Sequence, residues 1–321
     1  MAIGTELKVY VLDPYHPDAV ELVQNIPGIQ AILPGDPRME SWHSDADGLM
    51  VRSDSRLTEK DFAKAQSLRV VVKQGVGVDN IDLVAAKKRG IAVHNTPALN
   101  SESVAELSMA LTLALTRRVS EIDRAVRGGA TVIRSQTLST SMFRKTVGVV
   151  GMGNIGKIVA QKWIGAFDCS IVAYDPFVAP DAWSGVDHMR AQTLDELLRV
   201  SDVVTLHVPL VENTRGLIGE HELDIMKESA FLVNCARGGV VDERALLRAL
   251  NEKWIGGAAL DTTEIEPPTL EVHGEFLKHE NVIITPHIGG STKENQSRNG
   301  MYVVETLVNV LHGREATGKL V

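Results

Sequence analysis

Short runs of β-branched residues alternate with helix-forming stretches along the whole chain, and this alternation constrains its fold more than any other feature. A first series of strand candidates covers residues 8–12, 48–51, 69–74 and 91–95; a second covers 146–150, 169–175, 202–208, 230–235, 256–260 and 281–286. Helical stretches lie between them at 58–66, 81–88, 194–200 and 242–251, and Thr58 and Asp242 are side chains able to cap free N–H groups at a helix start. Strands and helices in this order build βαβ units and therefore mainly parallel sheets. Two longer helices, expected at 101–118 and 292–311, fall where one strand series stops and the other begins or ends. Domain crossings placed there give a continuous domain at 99–291 and a discontinuous one made of 1–98 plus 292–321. A chain of 321 residues is long enough for two such domains.

Composition narrows the classes of function. The two cysteines, Cys169 and Cys235, are far apart and outside any paired motif, which excludes a disulfide framework and a cysteine-based zinc site. No metal is expected. A formal charge of −8 argues against nonspecific binding to nucleic acid or anionic membranes, so an anionic substrate would need a local cluster of positive charge. The N-terminus lacks the basic start and apolar stretch of a secretion signal. The most apolar stretch, 104–116, is interrupted by Glu106 and Ser108 and falls short of the ~20 residues needed to cross a bilayer. The cytoplasm is the expected compartment.

The segment TVGVVGMGNIGK carries G-x-G-x-x-G at Gly151, Gly153 and Gly156, directly after an apolar strand and at the entry to a helical stretch, 155–164. In that context it reads as a dinucleotide-binding turn. Gly151 permits the turn, Gly153 lets a pyrophosphate approach the backbone, and Gly156 lets helix and strand pack closely. The helix N-terminus offers free N–H groups to the phosphates. Asp175 ends the next strand, where a carboxylate accepts hydrogen bonds from ribose hydroxyls and repels a 2′-phosphate; Pro176, Phe177 and Val178 supply no arginine to bind one. NAD is favoured over NADP. Three further segments follow strands and carry polar groups that a packed core would not select: 234–243, 260–268 and 285–292. Ligands of a doubly wound sheet bind beyond the carboxyl ends of its strands, so Arg237, a glutamate of the second segment (Glu264 or Glu266) and His287 could converge on the nicotinamide end of the cofactor.

With these motifs in order, from VRS at Val51 through QGVGVDNID and NTP to PHIGGSTKE, the sequence resembles the D-isomer-specific 2-hydroxyacid dehydrogenase family over nearly its whole length. The resemblance implies two Rossmann-like, doubly wound parallel-sheet α/β domains with an interdomain cleft. Domain closure would then hinge near 95–98 and 289–291. It also implies hydride transfer between C2 of a 2-hydroxyacid and the nicotinamide of NAD. His287 would be the base, Glu266 (matching the family's E-P-P) its carboxylate partner, and Arg237 the clamp on the substrate carboxylate. Positions matching family cofactor contacts are Val76, Asn154, Ile155, His207, Val208, Cys235, Ala236, Asp261, Gly289 and Gly290, with Asp261 expected to face the nicotinamide carboxamide. Thr262 and Thr263 depart from the apolar and aromatic pair usual after that aspartate.

Within the family, NCARGGVVDERALLRAL and STKENQSR resemble the phosphoglycerate dehydrogenase branch, which makes 3-phosphoglycerate, oxidised to 3-phosphohydroxypyruvate for serine biosynthesis, the first expected substrate. Arg52, Ser53, Gly75, Val76 and Gly77 would help hold it, and Arg134 aligns loosely with a basic segment of that branch. Asp54 stands where some members carry a second arginine. The branch often appends a regulatory domain, expected here to be absent along with serine feedback. A glyoxylate or hydroxypyruvate reductase is the alternative enzyme, and an NAD-sensing, corepressor-like interaction protein the alternative of another class. The resemblance also implies a homodimer built through the nucleotide domain, with helix 101–118 part of that contact or only of the core.

Overall fold

The structure, a computed structural model, describes residues 6–179 and 181–321. The chain begins with β1 (Leu7–Val11), α1 (Pro17–Gln24), β2 (Ile29–Ile32), β3 (Gly48–Val51), α2 (Glu59–Lys64), β4 (Val70–Lys73), α3 (Leu83–Lys88) and β5 (Ala92–His94). These strands form one parallel sheet in the order β2-β1-β3-β4-β5, the second of the two common doubly wound orders. Alternate residues point to opposite faces: Tyr10, Leu49, Val51, Val71 and Val93 enter one core, and Val9, Val11, Met50, Val70 and Val72 the other. Strand β2, not expected from the sequence, is an edge strand in which only Ile29 and Ile32 are buried, so its pattern is weak.

There follow α4 (Ser101–Thr116), α5 (Val119–Arg127), β6 (Thr146–Val150), α6 (Asn154–Phe167), β7 (Ser170–Tyr174), β8 (Met189–Arg190), α7 (Leu194–Val200), β9 (Val203–Leu206), α8 (Glu220–Asp224), β10 (Phe231–Asn234), α9 (Glu243–Asn251), β11 (Gly257–Leu260), α10 (Leu270–Leu277) and β12 (Val282–Ile284). Their seven strands are all parallel, in the order β12-β11-β10-β9-β6-β7-β8. Counted from β6, the first six strands reproduce the dinucleotide-binding order 3-2-1-4-5-6, with a seventh added beyond β11. Both faces are covered: Val150, Val172, Leu206 and Leu232 lie in one core, and Val149, Ala173, Val203 and Val233 in the other. Helix α4 ends at Thr116, two residues before the expected end, because Arg118 takes a left-handed conformation (φ 55°) that starts α5. Helix α5 buries none of its residues, which is why no core-facing stripe announced it. Within this unit, α4 packs on α6 and β10.

The last helix, α11 (Lys293–Leu311), returns to the first sheet and packs on α1, β3 and β4. A Cβ on Gly48 would lie 3.2 Å from Leu307 Cδ1, so the helix closes directly over β3. Beyond it, Leu320 N donates to Val93 O (2.8 Å), and Asn95 N donates to Gly318 O (2.9 Å). The described residues thus separate into two compact units: those up to Asn100 with Gly290–Val321, and Ser101–Gly289. No described helix is long and apolar enough to cross a membrane.

Candidate active site

In the second unit the strand order reverses between β6 and β9, and the glycine-rich turn leaves β6 at that point. Gly151 has φ +98°, and a Cβ there would lie 2.6 Å from His207 O and 2.9 Å from Val208 Cγ1 at the end of β9. At Gly156 a Cβ would fall 2.2 Å from Gly151 O. Gly153 is different: a Cβ there meets nothing within 4 Å, so its face of the turn is open. It caps α6 without a side chain, leaving the N–H groups of the first turn, at Asn154 and Ile155, for an anion. Asp175 Oδ2 accepts from Met152 N and Oδ1 from Phe177 N, both at 3.0 Å, which brings the carboxylate beside the turn. An open glycine cradle, an uncapped helix start and an adjacent carboxylate fit the pyrophosphate and ribose of NAD.

Next to the cradle, His207 Nε2 bonds Thr205 Oγ1 (2.9 Å), which in turn bonds Ser108 Oγ of α4 (3.0 Å). Desolvation pushes His207 down to about 3, so its ring stays neutral. Burial pushes the Cys235 thiol up, which makes it a packing residue rather than a nucleophile. Asn234 shapes the loop after β10: its Oδ1 accepts from Ala236 N and its Nδ2 donates to Arg237 O, both at 3.0 Å. The half-buried Arg237 then donates from Nη1 to Ala236 O (2.7 Å).

The loop after β11 packs against the Arg237 loop because residue 238 is glycine. A Cβ on Gly238 would lie 1.9 Å from Thr263 O. Thr263 Oγ1 donates to Ile265 O (2.9 Å), turning the chain toward Glu266. Glu264 is engaged elsewhere: its N–H donates to Glu243 Oε1 (2.6 Å), and its Oε1 accepts from Glu243 N (3.4 Å). Glu266 is the residue that reaches the histidine, with Oε2 2.9 Å from His287 Nδ1. Burial opposes charge on Glu266, but the hydrogen bond and charge of His287, with smaller help from Thr263 N and Arg237, outweigh it and hold the carboxyl below its ordinary value.

Asp261 is almost wholly buried. Its Oδ1 accepts from Thr285 Oγ1 (2.6 Å) and Ile288 N (2.9 Å), its Oδ2 from Gly289 N (2.9 Å), and its backbone O from His287 N (2.8 Å). It therefore holds the loop on either side of His287, a use that the expected position facing the carboxamide did not include. Neither that nor the role of Asn234 shows in spacing, because both depend on which loops the sheet order brings together. Arg134 lies exposed on a single 3-10 turn, Arg134–Gln136.

In the first unit, the loop after β3 is held from two sides. The carboxylate of Asp13 accepts from Arg52 N and from Ser55 Oγ, and Asn80 Nδ2 donates to Arg52 O (2.7 Å). The Arg52 side chain donates from Nη1 to Pro14 O (2.7 Å), while Ser53 and Asp54 are exposed. Gly75 has φ +112° and its N–H donates to Thr96 Oγ1 (2.8 Å); Val76 is exposed, with its carbonyl held by Asn95 Nδ2 (2.7 Å), and Gly77 is half-buried. Gly290 O accepts from Asn295 Nδ2 (2.7 Å) and Gln296 Nε2 (2.8 Å) of α11.

Comparison with known proteins agrees with this geometry. Residues 109–289 match the D-isomer specific 2-hydroxyacid dehydrogenase, NAD binding domain. A D-3-phosphoglycerate dehydrogenase of Methanocaldococcus jannaschii is 39% identical over 97% of this chain, which spans 58% of that relative's length. A hydroxypyruvate reductase of Thermotoga maritima is 37% identical over 95% of this chain and 98% of its own. Among solved structures, the D-lactate dehydrogenase of Aquifex aeolicus, complexed with NAD and lactic acid, is 31% identical with a TM-score of 0.82, covering 95% of this chain and 96% of that one. An NAD-binding fold whose matching domain includes the cradle, Arg237, Glu266 and His287, together with relatives aligned along nearly the full sequence, establishes that this chain belongs to the D-isomer specific 2-hydroxyacid dehydrogenase family.

Proposed function

We propose that the protein oxidises a 2-hydroxyacid at C2, or reduces the matching 2-oxoacid, with 3-phosphoglycerate as the first substrate. The observation that carries this reading is the Glu266–His287 pair, 2.9 Å apart, on loops that follow β11 and β12. With the Glu266 carboxylate accepting at Nδ1, that nitrogen carries the proton and Nε2 is left as an acceptor. His287 Nε2 then takes the proton of the C2 hydroxyl, and Glu266 stabilises the imidazolium that forms. In the reductive direction the same atom returns the proton. Arg237 pairs with the substrate carboxylate through a planar fork that lysine lacks. When bound, NAD would supply the nicotinamide that accepts the C2 hydride in oxidation or donates it in reduction. The cradle of Gly151, Gly153 and Gly156 holds its phosphates, and Asp175 its adenosine ribose.

Arg52 is the cation proposed for the substrate phosphate, and relatives named D-3-phosphoglycerate dehydrogenase support a phosphorylated substrate. In this reading the product feeds serine biosynthesis in the cytoplasm. A hydroxypyruvate reductase is favoured instead by Asp54 beside Arg52 and by the similarity to the Thermotoga relative of that name. A homodimer formed through the second unit is part of this reading.

Steady-state assays with NAD, 3-phosphoglycerate and glycerate, and with NADH, 3-phosphohydroxypyruvate, hydroxypyruvate and glyoxylate, test the proposal. Turnover is expected to be highest with the phosphorylated pair. Preference for hydroxypyruvate or glyoxylate would replace the substrate, and absence of turnover on every acid would overturn the enzymatic reading. In Arg52→Ala, KM for a phosphorylated substrate should rise more than for an unphosphorylated one; equal effects would remove the phosphate role.

A further inference from the structure

Arg190 lies on β8, the two-residue strand at the edge of the seven-stranded sheet, in register with Ala173 of β7. Its guanidinium turns onto the segment that follows β7. Nη1 donates to Ala179 O (2.7 Å), and Nη2 donates to Asp175 O and Val178 O (both 2.8 Å). Residues 175–179 have no regular structure, and Pro176, Phe177 and Ala179 are exposed. A single planar fork thus gathers three carbonyls of a segment that lies on the protein surface. An arginine can do this because its five N–H donors are fixed in one plane; a lysine offers one point of charge.

The Asp175 carboxylate depends on the same segment. Its Oδ1 is held by Phe177 N, within the segment, and its Oδ2 by Met152 N, in the glycine-rich turn. If residues 176–179 lifted away, Oδ1 would lose its donor and the carboxylate would keep one anchor of two. The other anchor is itself supported: the buried Trp183 donates from Nε1 to Met152 O (2.7 Å), and its Cζ2 would lie 3.2 Å from a Cβ on Gly156.

We propose that Arg190 is a positioning residue for cofactor selectivity, fixing the 175–179 backbone so that the Asp175 carboxylate faces the adenosine ribose in one orientation. A carboxylate fixed there accepts from the ribose hydroxyls of NAD and repels the 2′-phosphate of NADP; a carboxylate free to swing does both less well. Arg190 acts through hydrogen bonds to backbone carbonyls and not as a partner for a 2′-phosphate. The inference rests on the NAD-binding role of the second unit.

Isothermal titration of wild type, Arg190→Ala and Arg190→Lys with NAD and with NADP tests it, alongside kcat and KM for NAD. Arg190→Ala is expected to weaken NAD binding about tenfold and NADP binding far less, so that the preference narrows by about that factor, with KM for NAD rising and kcat retained. Arg190→Lys should recover part of the preference. Equal changes for the two dinucleotides, including no change, would overturn the proposal. If Arg190→Ala fails to fold, Arg190→Lys decides: a narrowed preference supports the role and an unchanged one overturns it. Wild-type protein that binds neither dinucleotide would overturn the NAD reading and this inference with it. Wild type that binds NAD, with variants of unaltered preference, would overturn this inference alone.

Discussion

His287 has φ 54°, a left-handed conformation that residues with a Cβ adopt rarely, and it is held there by several bonds around it. Its N–H reaches Asp261 O, and the next two N–H groups reach the Asp261 carboxylate, so the imidazole is aimed by a buried acid that it does not itself touch. The backbone sets where the ring lies, and Glu266 sets which nitrogen carries the proton. Replacing His287 with alanine should lower kcat by on the order of 10²–10⁴ and leave the NAD dissociation constant nearly unchanged. A matching collapse of cofactor affinity would make the histidine structural. Glu266→Gln should lower kcat by roughly 10²-fold or more, because the amide can donate to Nδ1 and stabilise the wrong tautomer. The Glu266–His287 contact is complete above the ordinary glutamate range and is lost only as pH falls through the lowered Glu266 value. The Glu266 carboxyl signal, followed by NMR during acidification, should titrate below that of a free glutamate, and titration at the ordinary position would refute the pairing.

Strands and helices bring these residues together through the places where glycine lets backbones touch. Gly156 and Gly153 differ in what a methyl group would meet, and so should their variants. Gly156→Ala drives a Cβ into the Gly151 carbonyl, which cannot swing aside as a side chain could, and should destabilise the protein by about 1–3 kcal/mol or more. Gly153→Ala meets no protein atom and should leave the thermal midpoint in place while weakening NAD roughly tenfold or more. Thermal unfolding with and without NAD checks both, and a stability loss in Gly153→Ala would mean the cradle is packed rather than open. At this scale most elements were legible. The β-branched runs that became β3, β4, β6, β9 and β10 are buried along nearly their full length, so the strand signal is continuous. Helices α2 and α9 start directly after the caps read in the sequence, Thr58 and Asp242. Among what escaped were edge and surface elements, β2 with two buried residues, β8 with none and α5 with none, and the short helices α1, α8 and α10, which bury only one or two residues each. The cradle and the candidates Arg237, Glu266 and His287 could be named from the sequence because the chemistry proposed for them demands particular residue types. The roles of Asn234, of Gly238 and of Asp261 in holding the His287 loop could not, because each arises from loops distant in sequence that the sheet order makes neighbours.

Taken as a whole, the chain is one unit inserted into another. Residues 101–289 contain a complete seven-stranded sheet with a core on each face. The first unit has its five strands before the insertion and α11 after it. A fragment comprising 101–289 should therefore unfold cooperatively and bind NAD, whereas residues 6–100 alone should not fold. The latter leave Val9, Val11, Met50, Val70 and Val72 without the α11 residues Val303, Val304 and Leu307 that share their core. Circular dichroism and NAD titration of the two fragments check this, and a stably folded 6–100 would show that α11 is dispensable.

That arrangement has a consequence for synthesis on the ribosome. The first sheet emerges early, yet the helix that covers one of its faces is made only after the whole inserted unit. At about 5–20 residues per second the delay is roughly 10–40 s, far longer than hydrophobic collapse takes. During that interval the nascent first unit presents an apolar face of valines and a methionine, while the inserted unit already has everything it needs to close. The second unit should therefore fold first and the N-terminal unit last. The nascent chain should be bound by chaperones that hold exposed apolar strands until α11 has left the exit tunnel.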